Sequence, residues 1–200
     1  MSESGTTDNF EKPLRSDARR NRDLLLATAG EMFAERGIDV PLEEIAKTAG
    51  VGVGTLYRHF PTRDALNEAV YRREVETLCD GVDELLANNP ADVALAEWMR
   101  SFAGYVARKR GMATALKSAL GVDNELFTYS HRRIHDAIDR LVAAAVKAEL
   151  IRDDVDSEDL LRGMSGICMA TDAPGWQDRT GRLINLLIDG LRYRAPAHSS

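Results

Sequence analysis

The chain has 200 residues, 44% of them hydrophobic and 29% charged, and its 26 Lys and Arg against 32 Asp and Glu leave a formal net charge of −6. These values are those of an ordinary globular chain with a sizeable core, and the acidic balance speaks against a protein that coats nucleic acid regardless of sequence. No apolar run approaches the roughly 18 residues of a bilayer span, and the opening MSESGTTDNFEKP lacks the basic-then-apolar pattern of a signal peptide, so a cytoplasmic location without membrane contact is expected.

Residues 1–15 read as a disordered tail, and Arg15, Arg19, Arg20 and Arg22 form a basic stretch ahead of the first apolar run. Ser16 is a plausible N-cap for a first helix with Leu25, Leu26, Ala29, Met32 and Phe33 at three-and-four spacing, and Gly37 is its stop. Pro41 suits the first turn of a short second helix whose stripe is Leu42, Ile45, Ala46 and Ala49, ended by Gly50. Val53, Leu56, Tyr57 and Phe60 resume the helical period until Pro61 forbids its continuation. Two short helices joined by a tight glycine turn form a helix-turn-helix. Thr62 then looks like the N-cap of a long helix through Ala65, Leu66, Ala69, Val70 and Val75 towards Leu85 and Leu86, broken at Asn88-Asn89-Pro90. Further helices are expected near 91–109, 111–120, 123–149, 157–170 and 176–193. No segment shows sustained strand alternation, so the fold class is all-α.

The run Gly50-Val51-Gly52-Val53-Gly54-Thr55 is not a phosphate-cradling nucleotide loop, because no buried strand precedes it and neither the dinucleotide spacing nor a following Lys-Ser/Thr is present. Its glycines suit a tight turn and close approach of a helix N-terminus to DNA. His131 and His135 stand four apart, but Arg132 and Arg133 lie between them and no metalloprotease glutamate accompanies them, so the expectation is a solvated helix face and no metal or other cofactor. Cys79 and Cys168 read as two reduced, buried hydrophobes. No nucleophile elbow or other catalytic constellation is visible, and the chain is not expected to be an enzyme.

The segment LEEIAKTAGVGVGTLYRHFPTRDAL, from Leu42 to Leu66, resembles the DNA-binding motif of the tetracycline-repressor (TetR) family, with Gly54-Thr55-Leu56-Tyr57-Arg58-His59-Phe60 and Thr62-Arg63 as its most specific part. The resemblance covers about residues 19–75, and beyond them only the family's general layout persists. It implies a three-helix DNA-binding domain over 16–77, a helical ligand-binding and dimerisation domain over 78–195, and a tail over 196–200. By the same resemblance Gly52, Val53, Gly54 and Thr55 approach base edges, while Tyr57, His59 and Arg63 grip phosphates and Arg58 belongs to the same surface. Pro41 and Leu42 replace the family's usual hydroxyl residue at the start of the second helix, leaving backbone amides as the weaker means of phosphate contact there.

The resemblance further implies an effector cavity, for which Trp98, Phe102, Tyr105, Met112, Leu116, Phe127 and Ile134 supply large adaptable side chains. Two half-sites about one turn of DNA apart call for a dimer, and the last two helices offer Leu160, Met164, Ile167, Leu183, Leu187 and Leu191 as its apolar faces. The expected partners are a palindromic double-stranded operator, a second copy of the chain and an unidentified small molecule that releases a repressor from DNA. The rival reading is an architectural DNA-binding protein that answers to no ligand.

Overall fold

The computed structural model describes residues 11–121, 124–169 and 175–193, which form nine α-helices without a strand. The chain separates into two compact units: residues up to Arg73 together with Gly111–Ala119, and Glu74–Arg110 together with the residues from Leu120 onward. The division therefore falls at Arg73 rather than after residue 77, and a stretch of a later helix belongs to the first unit.

In the first unit, α1 (Glu11–Arg36), α2 (Leu42–Thr48) and α3 (Val53–His59) pack on one another around Leu25, Ala29, Phe33, Ile45, Leu56 and Phe60, all buried. Ser16 lies inside α1 rather than capping it. α2 closes with two reversed bonds, the amide of Val51 donating to the Ala46 carbonyl at 2.9 Å and that of Gly50 to the Lys47 carbonyl at 3.1 Å. Gly50 carries the left-handed φ of +68° this ending requires, and a β-carbon there would meet no atom within 4 Å, so conformation and not space selects the glycine. α4 (Arg63–Asp80) opens on its expected cap, the Ala65 amide donating to Thr62 Oγ1 at 3.1 Å.

α4 stops at Asp80 and α5 (Val82–Asn88) takes up after Gly81, so the expected single long helix is two. The opposite correction applies to α6 (Ala91–Leu120), one helix of 30 residues where a break near residue 110 was expected. An interior glycine costs roughly 1 kcal/mol of helix propensity, and the buried Met112 and Leu116 supply tertiary contacts that outweigh it at Gly111.

In the second unit α7 (Glu125–Lys147) packs against α5 and α8 (Ser157–Met169), and α8 against α9 (Trp176–Arg192). Asn124 caps α7 by accepting from the Leu126 amide at 2.8 Å. Long-range polar ties fix the other helices. Trp98 Nε1 donates to the Leu78 carbonyl at 3.0 Å, Arg100 Nη2 to Asn185 Oδ1 at 2.8 Å, and Arg192 Nε to the buried Asp92 carboxylate at 2.8 Å. The turn expected over 172–175 and the end of α8 at residue 170 lie largely outside the described residues.

Candidate nucleic-acid interface

α3 is anchored by Leu56, which is fully buried, and flanked by the buried Val51 and Phe60, so its opposite side is left to solvent. That side presents Gly52, Val53, Gly54, Tyr57 and Arg58, with Thr55 and His59 half-buried beside them. A β-carbon on Gly54 would meet nothing within 4 Å, leaving bare backbone that another molecule can approach closely. Val53 is 40% exposed, an apolar side chain without packing of its own and the right size to meet a thymine methyl. Arg58 Nη2 donates to Thr55 Oγ1 at 3.3 Å, so these two neighbours on the surface constrain each other.

Tyr57, at 41% exposure, is not part of the trihelical core. Its hydroxyl donates to Glu43 Oε1 on α2 at 2.9 Å. The Glu43 carboxyl is held below its ordinary range, first by its own backbone N–H and then by the Tyr57 hydroxyl, while the bond to Glu43 pushes the Tyr57 phenol up. Lys47 adds an exposed cation on α2. Glu44 is engaged elsewhere, taking a bond from Arg36 Nη2 at 3.1 Å.

Two residues expected at DNA have different immediate partners. Leu42 is buried at 6% exposure, so only its backbone is left to a ligand, whereas Pro41 before it is exposed. Arg63 is half-buried and its Nη1 donates to the carbonyls of Ile38 and Val40, each at 2.8 Å. A cation at the start of α4, which opposes the helix dipole, thus has the loop between α1 and α2 as a partner through its Nη1. Sequence reasoning missed Glu43 and Lys47. Their pattern in α2 is only that of an amphipathic helix, and the Glu43–Tyr57 bond joins residues 14 apart.

Of the residues expected around an effector, Trp98, Phe102, Tyr105 and Ile134 are buried in the second unit and Phe127 is half-buried there, while Met112 and Leu116 belong to the first unit. Trp98 and Phe102 stack with ring centroids 5.5 Å apart. The second unit carries an open cleft of about 750 Å³ lined by Glu74, Thr77, Leu78, Leu85, Trp98 and Arg108 among others. Arg108 Nε donates to Glu74 Oε2 at 2.8 Å, so the cleft pairs an apolar wall with an ion pair.

Of the residues expected at a dimer contact, Leu160, Met164 and Leu191 are buried within their own subunit and offer a partner little surface. Ile167, Leu183 and Leu187 are half-buried, and the most exposed apolar side chains of the two helices are Met169 on α8 and Leu186 on α9. His131 and His135 face each other on α7 with Nε2 atoms 3.1 Å apart. Among the described residues no group of three or more candidate ligands is assembled for a metal.

An all-helical chain whose N-terminal unit presents the second helix of a helix-turn-helix to solvent belongs to the helix-turn-helix transcriptional regulators. Residues 25–70 match the family described as "Bacterial regulatory proteins, tetR family", and residues 89–193 match "Transcriptional regulator SbtR-like, C-terminal domain". A TetR transcriptional regulator from Streptomyces coelicolor is 44% identical, covering 87% of this chain and 99% of that one with a TM-score of 0.79. A TetR regulatory protein from Mycobacterium vanbaalenii is 34% identical over 90% of this chain and 100% of that one, with a TM-score of 0.74. An HTH-type transcriptional regulator of Staphylococcus aureus is 37% identical over 82 residues, 40% of this chain and 42% of that relative. The chain thus spans about two fifths of the length of this curated relative. The protein belongs to the TetR family of DNA-binding transcriptional regulators, and its relatives are regulators and not enzymes.

Proposed function

We propose that this protein is a homodimeric repressor that binds a palindromic operator through α3 and leaves it when a small molecule occupies the second unit. The observation that carries the reading is the solvent-facing side of α3, where Val53, Gly54, Tyr57 and Arg58 stand exposed around the fully buried Leu56. A helix so anchored is suited to the major groove, where small side chains meet base edges and polar ones meet phosphates. Selection from a random-sequence duplex pool supplies the operator. Val53→Leu and Thr55→Val should each change the preferred base at one position of that operator by about 1 to 3 kcal/mol, because base-edge contacts carry sequence information. Retention of the parental preference by both variants would refute this docking.

The cleft walled by Leu78, Leu85 and Trp98 with Glu74 and Arg108 supports an effector of mixed character, apolar on one side and polar at one end. The uncovered Met169 and Leu186, with half-buried Ile167, Leu183 and Leu187, support dimerisation through α8 and α9. No helix among the described residues is long and apolar enough to cross a membrane, in keeping with action on cytoplasmic DNA. An architectural role without a ligand predicts binding of comparable strength to unrelated duplexes, and the selection experiment separates the two.

A further inference from the structure

The Tyr57 hydroxyl has one proton, and the free protein spends it on a carboxylate. A DNA phosphate is acceptor-only in the same sense, so a bond from Tyr57 to phosphate and the bond from Tyr57 to Glu43 exclude each other. We propose that Glu43 is an affinity-setting residue of the DNA interface, an internal competitor that occupies the Tyr57 hydroxyl until DNA displaces it. This rests on the reading above that Tyr57 grips a phosphate.

Three observations lead there. Tyr57 is 41% exposed and shares the open face of α3 with Val53 and Gly54, so its ring is not fixed by burial, and its hydroxyl is tied to Glu43 by a bond of 2.9 Å. Glu43 is exposed on α2 and places an anion within one hydrogen bond of that face, where Arg58 is an exposed cation, and the half-buried Arg63 guanidinium lies near enough to act on both Glu43 and Tyr57. Finally, the neighbouring carboxylate Glu44 is bound by both terminal nitrogens of Arg36, whereas Glu43 takes its side-chain hydrogen bond from the neutral Tyr57 hydroxyl and feels the Arg63 charge only at longer range. A phosphate arriving at Tyr57 therefore meets a carboxylate that loses a hydrogen bond and stays close to the incoming charge. Both effects weaken binding to every sequence, since neither involves a base.

The test uses the full chain with two duplexes, the selected operator and one of mixed sequence, at fixed salt. Glu43→Gln keeps an acceptor for the hydroxyl but removes the charge, and Glu43→Ala removes both. Affinity for both duplexes should rise in the order parent, Gln, Ala, by roughly three- to ten-fold at the end of the series, as expected for one exposed hydrogen bond and one screened charge. Tyr57→Phe should cost more affinity in the Glu43→Ala background than in the parent, because only there is the hydroxyl unengaged before binding. Weaker binding by Glu43→Ala together with a lower unfolding temperature would overturn the proposal and make the pair a structural staple between α2 and α3. A changed base preference at one position would overturn it too, making Glu43 a reader of bases. If Tyr57→Phe is without effect in either background, the phosphate reading of Tyr57 itself fails, an outcome distinct from a Glu43 series that is flat while Tyr57→Phe still weakens binding.

Discussion

Arg63 shows how one side chain can satisfy two explanations of which the local geometry supports the less expected. Its Nη1 bonds to the carbonyls of Ile38 and Val40 close the loop between α1 and α2, and each would be left without that donor if the guanidinium were removed. Charge-assisted hydrogen bonds of this kind are worth about 1.5 to 3 kcal/mol, and the partial exposure of Arg63 places the expected loss near the lower end. Arg63→Ala should therefore lower the stability of the DNA-binding head by about 1 to 2 kcal/mol in urea unfolding, and Arg63→Lys should recover part of it. An unchanged midpoint for Arg63→Ala, with weaker DNA binding and a smaller salt slope, would return the residue to phosphate. Cys79 answers a simpler question. Burial pushes its thiol up to about 11, so it stays protonated through neutral and mildly alkaline pH. Iodoacetamide at pH 8 should label Cys79 only on unfolding, and rapid labelling of the native protein would contradict the burial.

Helix boundaries divide into those written in local chemistry and those decided by packing. α2 and α3 were legible almost to the residue, because Gly50 and Pro61 are stops with a direct backbone reason and the stripe of Leu42, Ile45 and Ala46 is short and clean. Gly81 and Gly111 look alike in the sequence, yet the chain breaks at the first and runs helical through the second. Local sequence alone does not distinguish them. The candidate interface was likewise legible as a set of residue types but not as a set of contacts: Arg63 to Val40 spans 23 positions and Tyr57 to Glu43 spans 14. The end of α7 offers a prediction of the local kind. The Leu150 amide donates to Ala145 at 3.0 Å and the Glu149 amide to Val146 at 2.9 Å, the same ending as α2, but here the left-handed residue is Glu149 with φ of +57°. A residue with a β-carbon is strained there by about 1 to 2 kcal/mol, part of which glycine returns in the greater freedom of the unfolded chain. Glu149→Gly should raise stability by about 0.5 to 1 kcal/mol, read from the unfolding midpoint, and a loss would mean that the contacts of the Glu149 side chain outweigh the strain.

In the proposed dimer, a reading head that covers one half-site gains operator affinity from a second head held at the right spacing, so the assembly of two chains would set how the molecule works. The surfaces open to a second copy follow from what each helix has already buried. On α9, Thr180, Ile184, Ile188 and Leu191 are turned inward, and on the other side Leu186 is 69% exposed between half-buried Leu183 and Leu187. On α8 the inward set is Leu160, Leu161, Met164 and Cys168, leaving Met169 75% exposed beside Gly166, where a β-carbon would meet nothing within 4 Å. Large uncovered apolar side chains next to bare backbone are what a closely packed helical interface uses. Leu186→Glu places a charge in that surface without touching the subunit's own core, so it should yield a folded monomer in sedimentation, with unchanged helicity. Ile184→Glu, two positions away but fully inward, should unfold the second unit instead, and the contrast separates loss of assembly from loss of fold. For the Leu186→Glu monomer, operator binding should fall by about a hundred-fold or more, since the second head's contribution becomes bimolecular. Its binding to a duplex carrying one half-site should stay close to the parent's. A Leu186→Glu protein that remained dimeric and kept full operator affinity would move the interface away from α9 and leave the exposure of Leu186 and Met169 without this explanation.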